Sequence, residues 1–166
     1  IVMFAFAHHH QPAAVILANG EDVIDYLQSQ WTVNLALPGE SRAVYGLRLN
    51  RKGHVLADAF LLREEEQSFR IVSYECPVNE LIELLEENVV ADDVEFVDDT
   101  EGKEIISLWG RGTDTVCGQL GFSPPNEQCF RHTEVGLVFR GRRTQFPNIE
   151  ILANDRQLET LTGLLA

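Results

Sequence analysis

The sequence predicts an α+β protein of mixed or antiparallel sheets with packed helices. Runs in which apolar residues fall at every second position predict strands along most of the chain. Separate stretches with a 3.6-residue apolar period predict helices between them. At 45% hydrophobic residues, with 9 Phe and 2 Trp, the chain carries enough apolar surface to bury a core. Its 166 residues suffice for one compact domain or two small lobes.

The elements follow in order. Ile1–Ala7 reads as a buried strand, and after His8-His9-His10-Gln11-Pro12 a second apolar run spans Ala13–Ala18. Asn19-Gly20 punctuates the chain ahead of a helix with Val23, Ile24, Leu27 and Trp31 on one face, Asn19 placed as its cap, and Glu21 and Asp22 at its positive end. Pro38-Gly39 predicts a turn. Ala43–Asn50 and His54–Arg63 flank Arg51-Lys52-Gly53 as a hairpin, and Ser68–Tyr74 follows as a third strand after Glu64–Gln67. A second helix after Pro77 places Val78, Leu81, Ile82, Leu85 and Val89 inward and Glu83, Glu86 and Glu87 outward. Val94–Val97, Glu104–Trp109, Val135–Phe139 and Ile149–Ala153 read as strands, while Gly110–Arg131, rich in Gly and Pro, reads as a connection. A closing helix opens with Asn154 and Gln157 at capping-box spacing and buries Leu158, Leu161 and Leu165.

Composition narrows the functions. The 26 Asp and Glu against 13 Lys and Arg give a net charge of −13, which disfavours unaided binding to nucleic acid or an anionic membrane. Cys76, Cys117 and Cys129 show neither C-x-x-C spacing nor an even disulfide framework, so reduced thiols in a cytoplasmic compartment are expected. No stretch has the ~20 apolar residues of a membrane helix, and the opening run lacks the basic region of a signal peptide. His8–His10 has no carboxylate or Cys at ligand spacing, so no metal site is expected there. P-loop, nucleophile-elbow and dinucleotide-binding motifs are absent from the sequence.

Three polar features stand out. Asp58 shares a strand face with Leu56, Phe60 and Leu62; it either meets a partner in the core or lines a ligand cavity. Glu150, between Ile149 and Ile151, suits the paired N–H donors of a flat heterocycle, although the strand pattern favours an outward-facing residue. Arg140, Arg142 and Arg143 form a local basic cluster that either meets a carboxylate or phosphate ligand or pairs with nearby acids.

Glu21–Gln30 followed by Tyr45–Asp58 resembles the folate-binding T-protein/YgfZ superfamily, which comprises the glycine-cleavage aminomethyltransferase and its YgfZ-like relatives. The YgfZ pattern F-L-Q-G-Q-T-N-V is similar to Tyr26 through Leu35, L-N-x-x-G-x-h-x-x-D is similar to Leu49–Asp58, and Arg140–Ile151 resembles R-T-G-Y-T-G-E-x-G-Y-E-I in weakened form. The resemblance implies tetrahydrofolate, or a one-carbon derivative, as cofactor. Asp58 would face its reacting nitrogens as the catalytic candidate, Tyr45 would flank it, Glu150 would hold the pterin, and the cluster beginning at Arg140 would meet the glutamyl carboxylates. Ala57 departs from the superfamily's Asp-Asp pair, Arg143 stands in place of a pterin-contacting tyrosine, and the segment G-Y-T-G-E is lost.

The resemblance also implies a ferredoxin-like lobe over about residues 43–100, inserted between 1–42 and 101–166. Superfamily members run to about twice this length, so the C-terminal barrel and the motif K-G-C-Y-x-G-Q-E are expected to fall outside residues 1–166. The implied function is folate binding of the YgfZ type in support of iron–sulfur enzymes, with iron–sulfur client or assembly proteins as partners. The alternatives are an aminomethyltransferase of a glycine-cleavage-like system and a non-catalytic scaffold that has lost folate.

Overall fold

The computed structural model describes residues 4–36 and 41–166, so the turn expected at Pro38-Gly39 lies outside the described residues. In chain order the elements are β1 (Phe6–His10), β2 (Ala14–Asn19), α1 (Val23–Gln30), β3 (Ala43–Leu49), β4 (Val55–Glu65), β5 (Ser68–Ser73) and α2 (Val78–Glu86). They continue with β6 (Glu95–Asp98), β7 (Lys103–Trp109), α3 (Thr113–Gln119), β8 (Phe130–Thr133), β9 (Gly136–Arg140), β10 (Asn148–Asn154) and α4 (Asp155–Leu165). The fold is α+β, with antiparallel sheets and packed helices. None of the described helices is long and apolar enough to cross a membrane.

Two compact units divide the chain, Pro12–Glu101 and the paired segments Ile1–Gln11 and Gly102–Ala166. In the Pro12–Glu101 unit the strand order is β3-β4-β5-β2-β6, every neighbouring pair antiparallel. Because β2 lies between β5 and β6, the unit begins at Pro12, ahead of residue 43. Strand alternation turns Val44, Ala57, Ala59, Leu61 and Ile71 into one core with Val23 and Leu27 of α1 and Leu81 and Leu85 of α2. The opposite face carries Tyr45, Asp58, Phe60 and Val72, aligned by the registers Tyr45↔Phe60 and Phe60↔Val72.

Several residues of the motifs compared above prove to shape the backbone. Asn50 Oδ1 accepts from the amides of Lys52 (2.9 Å) and His54 (3.0 Å), and Gly53 takes φ +80°, a conformation that favours glycine. Gln28 holds the chain leaving α1, donating to Val33 O at 2.6 Å and accepting from Leu35 N at 2.5 Å. Tyr26 donates its hydroxyl to Leu85 O at 2.5 Å and so ties α1 to α2.

In the other unit the order is β1-β7-β10-β9-β8, also antiparallel. Its core gathers Ile106, Leu108, Cys117, Val138, Ile149, Ile151 and Leu161. The expected capping box opens α4: Asn154 Oδ1 accepts from Gln157 N at 2.9 Å, and Gln157 Oε1 accepts from Asn154 N at 3.1 Å.

Two expectations are corrected here. Among the described residues the first strand is Phe6–His10, an exposed edge strand, where the apolar opening had suggested a buried one over Ile1–Ala7, of which Ile1–Met3 lie outside the described residues. Phe6 remains 50% exposed, stacked on Trp109, and the histidines continue the strand because β1 pairs along β7. The supposed connection Gly110–Arg131 contains α3 and the start of β8. Its Gly and Pro residues mask a short helical spacing, with Thr113, Cys117 and Leu120 buried on one side.

Candidate functional site

Within the Pro12–Glu101 unit, Tyr45 donates its hydroxyl to Asp58 Oδ2 at 2.6 Å. The two residues lie diagonally on adjacent strands, since Asp58 faces Leu47 and Tyr45 faces Phe60. Both are half-buried and line a cavity of about 550 Å3 together with Leu56, Tyr74, Cys76 and Glu80. Among the described residues Asp58 Oδ1 accepts no hydrogen bond, so one oxygen of an oriented carboxylate remains an acceptor. The Tyr45 ring packs against Phe60, and Phe60 in turn against Tyr74, which sets the aromatic wall. Burial, with Glu80 and Asp58 nearby, pushes the Cys76 thiol above its ordinary pKa, so it enters the cavity as a neutral group. Ala57 points to the opposite face, into the helix-backed core.

In the other unit Glu150 is 0% exposed, against the outward-facing pattern. Its Oε2 accepts from Ser107 Oγ at 2.5 Å and its Oε1 from Asn148 Nδ2 at 3.1 Å, while Arg143 Nε lies 3.7 Å from Oε1. Strand register explains the meeting: Glu150 is paired with Ser107 of β7, and Asn148 lies two residues away on the same face of β10. Asn148 also accepts from Arg143 N at 2.8 Å and donates to Leu108 O at 3.1 Å, which fixes the amide. A Cβ at Gly141 would collide with Asn148 Oδ1 and Glu150 Oε1, so this cluster requires glycine there. Arg143 Nη2 donates to His10 Nε2 at 2.5 Å; a guanidinium has no acceptor, so His10 takes the proton on Nδ1. Burial first, then Arg143 and His8, lowers the His10 pKa from 6.5 to about 4.

Tyr45 and Asp58 are therefore brought together in one unit, while Glu150 and Arg140 belong to the other. Arg140 pairs with Ile149 and so stands on the opposite sheet face from Glu150, donating to Pro125 O at 2.9 Å, with Glu127 at 3.5 Å. Arg143 is the member of the arginine cluster beside Glu150. Sequence reasoning missed Ser107 and Asn148, whose signal was a polar residue among the apolar neighbours of each strand. Among the described residues no three His, Cys, Asp or Glu side chains stand together to hold a metal ion.

This architecture defines a class: a discontinuous α+β unit carrying a second sheet-and-helix unit inserted after its first strand. No family model and no curated protein matches the sequence. Among solved structures the chain is similar to the glycine cleavage system aminomethyltransferase T from Bartonella henselae, with a TM-score of 0.80 and 19% identity over 96% of this chain. It is also similar to the heterotetrameric sarcosine oxidase from Corynebacterium sp. U-96, solved in complex with pyrrole 2-carboxylate, with a TM-score of 0.59 and 12% identity. That second match covers 97% of this chain and 81% of the other. The chain spans 45% of the aminomethyltransferase, so the likeness concerns a fold shared with part of that protein.

Proposed function

We propose that this chain is a folate-binding region of the T-protein/YgfZ type, which binds tetrahydrofolate or a one-carbon derivative. The observation that carries the reading is the Tyr45–Asp58 pair, an oriented carboxylate with a spare acceptor oxygen at the edge of a cavity of about 550 Å3. Its chemistry fits the ligand: the aromatic wall suits a flat conjugated molecule, and Asp58 suits its nitrogens. In this reading Tyr45 flanks the ligand and Asp58 holds or moves a proton at its reactive nitrogens. When bound, tetrahydrofolate supplies nitrogens that carry a one-carbon unit.

Ala57 favours a binding role of the YgfZ kind, in support of iron–sulfur enzymes, over efficient methylene transfer, because it replaces the first carboxylate of the family's pair. The likeness to a solved aminomethyltransferase favours a second reading, folate-dependent transfer from an aminomethyl carrier. Calorimetric titration of tetrahydrofolate under reducing conditions tests the shared premise. Saturable binding by the wild type, lost in Asp58→Ala, is expected, and a folded wild type that binds no folate would remove the claim. Folate-dependent release of ammonia from an aminomethyl-lipoyl donor would establish the transferase reading instead.

A further inference from the structure

A second cavity in the Pro12–Glu101 unit, of about 520 Å3, is formed by the β3–β4 hairpin and the chain leaving α2. Arg48, Arg51, Lys52 and His54 line it from the hairpin, and Glu87 and Asn88 from the helix end. In a chain of net charge −13 it sets three permanent positive charges against one carboxylate.

Arg48 is the telling residue. It is 9% exposed, and among the described residues its Nε is buried without a hydrogen-bond partner and its guanidinium has one ion-pair partner, Glu87 Oε2 at 3.5 Å from Nη2. The Glu87 side chain is 61% exposed, well solvated and weakly held. Arg70, in the same unit, shows how this fold satisfies an arginine that serves structure alone: it reaches Asp99 at 2.8 Å and Glu64 at 3.1 Å and 3.2 Å. A buried guanidinium with unfilled donors carries a desolvation penalty that a well-placed anion removes. Its planar fork fits carboxylate and phosphate oxygens alike.

We propose that this cavity binds a small polyanion bearing phosphate or carboxylate groups, with Arg48 as the buried anchor and Arg51 and Lys52 at the exposed mouth. The two cavities share Leu56 but no polar lining residue, and this proposal does not depend on folate binding at the Tyr45–Asp58 pair. Calorimetry at low ionic strength with two probes, tripolyphosphate and citrate, tests it and separates the phosphate from the carboxylate source. At least one probe should bind once per chain and weaken about tenfold in Arg48→Gln and in the exposed double variant Arg51→Ser/Lys52→Ser, as expected for lost charge-assisted bonds. Glu87→Gln should tighten the same binding by about threefold, because it removes a like charge and releases Arg48, an effect no structural role of Arg48 would produce. The double variant and Glu87→Gln alter exposed side chains, so both remain informative if Arg48→Gln fails to fold. Absence of binding by both probes, or equal binding by wild type, the double variant and Glu87→Gln, would overturn the proposal.

Discussion

Asp58 and Glu150 occupy alike settings in sequence, each a carboxylate inside an apolar strand, yet the two units treat them differently. Asp58 is half-buried and, among the described residues, has a single hydrogen-bond partner, on the adjacent strand, with its other oxygen open beside a cavity. Glu150 is 0% exposed and held by Ser107 and Asn148, with Arg143 close by. The strand carrying the acid does not decide its role; the residues that register places opposite it do. An acid whose neighbours supply several donors is bound into the fold, and one whose neighbours supply a single donor stays available to a ligand.

The largest expected effect follows directly. Glu150→Ala leaves the Ser107 and Asn148 donors and a nearby guanidinium without their acceptor, and should destabilise the protein by about 3 kcal/mol. Asp58→Ala should change stability by less than about 1 kcal/mol, because water replaces a half-exposed carboxylate. Urea denaturation of both variants measures the difference, and equal losses would break the distinction. Gly141→Ala attacks the same cluster sterically and should destabilise it by about 2 kcal/mol, the usual scale of overpacking.

A smaller effect depends on pH. The folded His10 pKa of about 4 lies below its ordinary 6.5, so between these values the unfolded chain binds a proton that the folded chain refuses. The contribution of His10 is therefore intact above pH 6.5 and is lost progressively as pH falls toward 4. Replacing His10 with Gln, which still accepts from Arg143, should flatten this part of the stability profile relative to wild type. An unchanged slope would detach His10 from the Glu150–Arg143 cluster.

Much of the fold was legible in the sequence because periodicity reports burial on one face of an element. The hairpin around Arg51–Gly53, the inward face of α2 and the α4 capping box all follow from local spacing. Local spacing failed at β1, whose limits are set by pairing with β7, and at α3, where turn-forming residues surround a helix of only seven residues. The candidate site divides in the same way. The oddity of Asp58 and Glu150 could be read from their own strands, but the burial of Glu150 depends on Ser107 and on strand order. Arg140 and Arg143 are neighbours in sequence, yet pairing with Ile149 turns Arg140 away, while the loop beyond β9 brings Arg143 to Asn148 and Glu150.

The finest test concerns the one bond that orients Asp58. Tyr45→Phe removes the 2.6 Å hydrogen bond but keeps the ring against Phe60 at 5.1 Å between centroids. Stability should fall by no more than about 1 kcal/mol, since the freed carboxylate regains water and the aromatic packing survives. The affinity for tetrahydrofolate should fall more clearly, by about threefold to tenfold, because an unrestrained carboxylate must be ordered again when the ligand binds. Asp58→Ala, with no acceptor left to order, should reduce that affinity further than Tyr45→Phe. If Tyr45→Phe lowers stability and leaves affinity unchanged, the hydroxyl belongs to the fold alone, and Asp58 would then resemble Glu150 more than its free oxygen suggests.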